Sequence, residues 1–83
     1  MNKVLVFVYV PLLDEKYDVF IPINKKIGTI KNVIINSIIE LSETNPEVFS
    51  NMKLYSKETG NILENNIYVK ASDIENGSEL ILL

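Results

Sequence analysis

The sequence predicts an α+β fold in which one helix lies across one face of a mixed β-sheet. Three observations carry this. Two β-rich runs come first, a single helical stretch follows, and shorter β-rich runs occupy the remainder up to Leu83. Nothing in the chain repeats, and no low-complexity linker divides it, so residues 1–83 are expected to form one domain.

The first run, residues 3 to 10, consists after Lys3 of Val, Leu, Phe and Tyr, side chains that suit a pleated surface, and Pro11 stops it. Residues 12 to 16 read as a loop. In Tyr17 to Ile23, Val19, Ile21 and Ile23 fall on one face and Asp18, Phe20 and Pro22 on the other, so the two runs are expected to form a hairpin. After Lys26 the period changes from two residues to that of a helix. Thr29 is the expected N-cap, its hydroxyl accepting from a first-turn amide, and the helix is expected from Ile30 to about Ser42. Ile30, Val33, Ile34, Ile38 and Leu41 form its apolar stripe, opposite Asn32, Asn36, Glu40 and Glu43, with Ile35 and Ile39 on the flank.

Asn45-Pro46 closes this region and opens a short helical turn through Ser50. Met52 to Ser56 reads as a third strand, Lys57 to Gly60 as a turn, and Asn61 to Glu64 as a short fourth strand. A connector runs through Ile67, Val69 and Ile74, Asn76-Gly77 forms a turn, and Glu79 to Leu83 is the last strand. The sheet should hold four to five strands. Its core is expected on Val19, Ile21, Ile30, Ile34, Ile38, Leu54, Val69, Ile74, Leu80 and Leu82.

Composition narrows the function. With no cysteine and no histidine there is no disulfide and no usual zinc ligand set, so the apolar 47% of the chain must hold the fold together. A domain of this size hides only roughly 60% of its unfolded surface, which leaves a small margin of stability. The net charge is -3, every basic residue is Lys, and the lysines are scattered, which argues against nucleic acid as a partner. The lack of cysteine fits a cytoplasmic location. Richness in Ile, Asn and Lys without Arg fits an AT-rich bacterial genome.

Lys3 followed by Val4 to Val10 imitates a secretory signal, but Asp14, Glu15, Lys16 and Tyr17 stand where the small residues of a cleavage site belong. The run also falls well short of the roughly 18 to 20 residues that span a bilayer, so no direct membrane insertion is expected.

The segment KLYSKETGNILENN followed by VKASDIENGSELILL resembles the second half of ubiquitin: a strand, a turn, a short strand, an SD-I connector and a final strand. Within the ubiquitin-like β-grasp proteins, YDVFIP followed by IGTIKNVI looks most similar to the YukD/EsaB group of bacterial type VII secretion loci. That resemblance implies a ubiquitin-like β-grasp fold and a small cytosolic accessory or regulatory component of a secretion system, working through protein contacts. It does not imply conjugation. That chemistry needs a flexible tail ending in Gly-Gly, whereas this sequence stops at Leu83 within its last strand. The resemblance extends also to small non-catalytic subunits of multicomponent enzymes such as bacterial monooxygenases, the alternative reading.

Catalysis finds little to stand on, since the general acid–base used most often, His, and the nucleophile Cys are both absent. The acidic pairs Asp14/Glu15, Glu40/Glu43 and Asp73/Glu75 read as solvated loop and helix residues. Gly28, Gly60 and Gly77 are isolated and build no phosphate loop. Asn76-Gly77-Ser78 matches a glycosylation sequon but reads as a tight turn. No enzymatic activity, cofactor or metal is expected.

The informative feature is an apolar excess on the sheet. With a helix on one face, strands should alternate apolar inward and polar outward. In the first strand Val4, Val6 and Val8 occupy one face and Leu5, Phe7 and Tyr9 the other, and the sequence leaves open which set is buried. In the last strand, Leu80 and Leu82 inward leave Ile81 and Leu83 outward, joined by Phe20 and Tyr55. An exposed apolar patch of this kind commonly marks an interaction site. By the resemblance, Tyr55 and Leu83 fall near ubiquitin's main recognition patch. Phe20, Tyr55, Ile81 and Leu83 are therefore the expected binding face for a protein partner, either a secretion component or a second copy in a homodimer.

Overall fold

A computed structural model describes residues 2–83. Four strands, β1 (Lys3–Val10), β2 (Glu15–Pro22), β3 (Leu54–Ser56) and β4 (Ser78–Leu82), form one sheet in the order β2-β1-β4-β3. β1 runs antiparallel to β2 and parallel to β4, and β3 is antiparallel to β4. The helix α1 (Ile27–Ser42) packs across one face.

The hairpin closes more tightly than the sequence implied. Leu13 N–H donates to Val10 O at 3.1 Å and Asp14 N–H to Pro11 O at 3.1 Å, with Asp14 at φ +50°, a left-handed conformation that Asp tolerates better than most side chains. β2 therefore starts at Glu15, inside the expected loop.

The open question of register in β1 is resolved by its two partners. Val6 opposes Val19 and Val8 opposes Leu80, which puts Val6, Val8 and Val10 under the helix, fully buried, and Leu5, Phe7 and Tyr9 on the outer face, half-buried. Against the valines pack Ile27, Ile30, Ile34 and Ile38 of α1, with Ile21, Leu54, Leu80 and Leu82 from the other strands. Phe49, in the short 3₁₀ turn Pro46–Phe49, Val69 and Ile74 complete the core. That turn was expected with Pro46 at its first position, and Asn45 caps it, its side chain accepting from Glu47 N–H at 3.0 Å. Of the expected core residues only Val19, on the edge strand β2, is half-buried.

Three expectations need correction. The helix begins at Ile27, and Thr29 is no N-cap: Lys26 holds the extended cap position without a side-chain bond, and Thr29 N–H donates to Lys26 O at 3.0 Å. The cap is supplied from far along the chain. Ile27 N–H donates to Ile67 O at 2.8 Å and Gly28 N–H to Asn65 O at 3.0 Å, satisfying amides that a local side chain would otherwise serve. Gly28 allows this approach, since a Cβ there would stand 3.2 Å from Asn65 Cβ and 3.3 Å from Asn65 O. Second, Val33 and Leu41 are exposed although they belong to the expected stripe, and Ile35 and Ile39 are half-buried against the core instead. Val33 lies off the buried arc of Ile27, Ile30, Ile34 and Ile38, whereas Leu41 is in phase with that arc but sits in the last turn of α1. Third, Asn61–Glu64 is no strand, and a single bridge joins Ile62 to Tyr55.

The core makes a direct prediction. Ile34→Ala should cost about 2 to 5 kcal/mol, a large part of the roughly 5 to 15 kcal/mol that holds a small domain. Val33→Ala and Asn36→Ala, at exposed helix positions, should shift a denaturant midpoint little. Equal losses at Ile34 and Val33 in urea titrations would contradict this helix phase.

Candidate functional site

Strand alternation and pairing register determine what the uncovered face of the sheet presents. Leu5 stands opposite Phe20 at one end of β1, Phe7 opposes Asp18 and Glu79, and Tyr9 opposes Lys16 and Ile81 at the other end. Ile81 in turn opposes Tyr55 on β3. Leu83 extends this corner, its backbone bonded both ways to Lys53 at 2.9 and 3.0 Å.

Tyr55, Ile81 and Leu83 are thus brought together, with Tyr9 beside them. Phe20 is not part of that corner. It is separated by about 13 Å along the strands and about 10 Å across them, using ordinary strand rise and spacing. Phe20 and Leu83 are 60% and 61% exposed, whereas Tyr55 and Ile81 are half-buried, because flanking strands cover part of each ring or chain. Leu5, Phe7 and Tyr9 were missing from the expected site residues. Their signal was the doubled apolar alternation of residues 4 to 9, which becomes readable once the valines are known to face inward.

Charge crosses the same surface. Glu79 sits between two lysines, with Lys16 Nζ 3.4 Å from Oε1 and Lys57 Nζ 3.5 Å from Oε2. This link spans the sheet from β2 to the end of β3 and rims a depression of about 330 Å³ lined by Phe7, Tyr9 and Ile81. The Lys57 charge, with the hydrogen bond from Lys16, holds the Glu79 carboxyl below its ordinary value. Tyr9 O–H donates to Asp14 Oδ1 at 2.9 Å, which raises the phenol, since ionising it would lose that bond beside a carboxylate.

At the opposite end of β1, Asn76 Oδ1 accepts from Leu5 N–H at 2.8 Å, and Gly77, at φ +90°, donates to Leu5 O at 2.7 Å. The Asn-Gly turn was expected. Its side chain also anchors the start of the parallel pairing. Among the described residues no three His, Cys, Asp or Glu are placed to hold a metal ion, and no helix is long and apolar enough to cross a membrane.

A depressed carboxyl stabilises the fold above its unfolded-state value, and that contribution is lost as pH falls through the lower folded-state value. A carboxyl-detected NMR titration should place the Glu79 midpoint below that of an ordinary glutamate. K57M should raise it, and high salt should narrow the difference, because both charges are exposed to solvent screening. An unchanged midpoint in K57M would remove this network from the account.

No family model and no curated protein matches the chain. Solved structures do. The ubiquitin-like domain of an Arabidopsis thaliana protein superposes with a TM-score of 0.69 at 18% identity, over 100% of this chain and 78% of that one. Caldiarchaeum subterraneum ubiquitin does so with a TM-score of 0.66 at 11% identity, over 96% and 90%. A chain of an ESX-5 inner membrane complex gives a TM-score of 0.76 at 16% identity, over 100% of this chain and 21% of the other. At such identities the likeness speaks for architecture: the chain has the ubiquitin-like β-grasp fold, a mixed four-stranded sheet with one helix across it.

Proposed function

We propose that this chain is a non-catalytic protein-binding module that works in the cytoplasm and docks a protein partner on the outer face of its sheet, at the Tyr9, Tyr55, Ile81 and Leu83 corner. The observation that carries the reading is the run of apolar side chains on a face that no helix covers. In an interface, large apolar groups bury area while the Lys16–Glu79–Lys57 network sets register and excludes ill-matched partners. We further propose that it serves as an accessory or regulatory component of a bacterial type VII secretion system. Two things support this: the YDVFIP and IGTIKNVI segments that resemble the YukD/EsaB group, and a whole-length likeness to part of an ESX-5 inner membrane complex.

Leu83→Glu provides the cleanest test, because water already reaches that side chain and the fold should stay intact by thermal melt. Ile81→Glu is half-buried and serves as the second variant where its melt permits. Capture from the native cytoplasm, followed by mass spectrometry, should recover secretion components with the wild type. The variants should weaken binding about 30-fold or more, the effect of disrupting an interface centre at about 2 kcal/mol. If folded Leu83→Glu and Ile81→Glu retain all partners, the face is wrong. If binding is lost but the partners belong to other systems, the module stands and the secretion assignment falls.

A further inference from the structure

Two large apolar residues of α1 stay exposed. Val33 is 47% and Leu41 73% exposed, and Leu41 stands beside β2, the free edge strand of the sheet. Leu41 and Ser37 line a groove there against β2 residues 16–20, and Val33 stands one helical turn before Ser37 on the same flank. Leu41 is in phase with Ile30 and Ile34 to cover a sheet, yet it stays exposed beside β2, the last strand. A further strand beside β2 would lie beneath it.

We infer that a second copy of this chain supplies that strand, its β2 pairing antiparallel with β2 about a two-fold axis at Tyr17. Charge selects this register. In a two-fold antiparallel pair, opposed side chains share a face, and the sum of opposed residue numbers is constant. With Tyr17 opposite Tyr17 of the second copy, Lys16 meets Asp18 and Asp18 meets Lys16, both on the outer face. Moving the axis one residue on sets Asp18 against Asp18, and one residue back sets Lys16 against Lys16; like charges directly opposed destabilise a sheet. Asp18 makes no ion pair among the described residues, and the Lys16 ammonium, held by Glu79 at 3.4 Å, retains protons for a second carboxylate.

Because the axis stands perpendicular to the sheet, both α1 helices lie on the same side, and their Leu41, Ser37 and Val33 flanks face one another across it. The result is one continuous sheet of two copies, with the edge of β2 covered. A contact of this size belongs to the small class, below about 1,200 Å² in total, so the dimer is weak and concentration-dependent. It shares only Lys16 with the outer-face site and does not rest on that reading.

Sedimentation equilibrium on the full chain from about 10 μM to about 1 mM should show a monomer–dimer equilibrium. K16D and D18K should each raise the dissociation constant about tenfold or more, since each turns two attractive pairs into repulsive ones. The double variant K16D/D18K reverses both partners and should restore association to within about threefold of wild type. L41E should abolish the dimer, and L83E should leave it unchanged. The inference is overturned if the wild type stays monomeric across that range, if D18K associates like wild type, or if the double variant, folded by thermal melt, fails to recover.

Discussion

The parallel pairing of β1 with β4 ties the first strand of the chain to its last, and the remaining elements take their places from it. Val8 opposes Leu80 and Tyr9 opposes Ile81, while Asn76 reaches Leu5 across 71 positions of sequence. Since β1 is bonded to β2 on its other side, it becomes an interior strand with both edges hydrogen-bonded to neighbours. Its valines then have no exit but the helix side, where they meet Ile30, Ile34 and Ile38. The contact is non-local, so its chain-closure entropy has to be met by a dense apolar core, which the short Val and Ile side chains provide.

A second long-range contact holds the helix at its start. Residues 65–70 run alongside 23–28, with Lys70 N–H donating to Ile23 O at 3.0 Å and Val69 N–H to Lys25 O at 2.9 Å, while Ile67 and Asn65 accept from the first helical amides. These bonds fasten the connector before β4 to the turn before α1, and bury Val69 in doing so. Gly28 permits the close backbone approach, so the same residue that weakens the helix locally strengthens its attachment.

With the core closed on one side, the molecule keeps two kinds of unused surface. One is the outer face, where an apolar corner at Ile81 and Leu83 adjoins the Glu79 charge network. The other is the β2 edge with the overhanging Leu41 flank. A face presents side chains and favours shape and charge matching, whereas an edge presents backbone groups and favours another strand. The two differ in chemistry and meet at Lys16, which pairs with Glu79 on the face and also lines the groove at the β2 edge.

Apart from the strand expected at Asn61–Glu64, the order of elements, the Asn45-Pro46 stop, the Asn76-Gly77 turn and the Ile30, Ile34, Ile38 phase were legible in the sequence, because each depends on local propensity or short-range period. The apolar corner of the outer face was half legible: Tyr55, Ile81 and Leu83 converge, but Phe20 lies apart, since sharing a face does not imply adjacency when the strand order is unknown. The buried side of β1, the start of α1 and the exposure of Val33 and Leu41 were decided by tertiary structure. Residues 4 to 9 are apolar on both faces, so only pairing with Val19 and Leu80 could orient them. The helix lacks a local cap, so only the carbonyls of Asn65 and Ile67 could set its first turn. Periodicity identifies the face a helix turns inward, but the width of the sheet beneath it determines how many of those residues are covered, and that width exists only once the strands have paired.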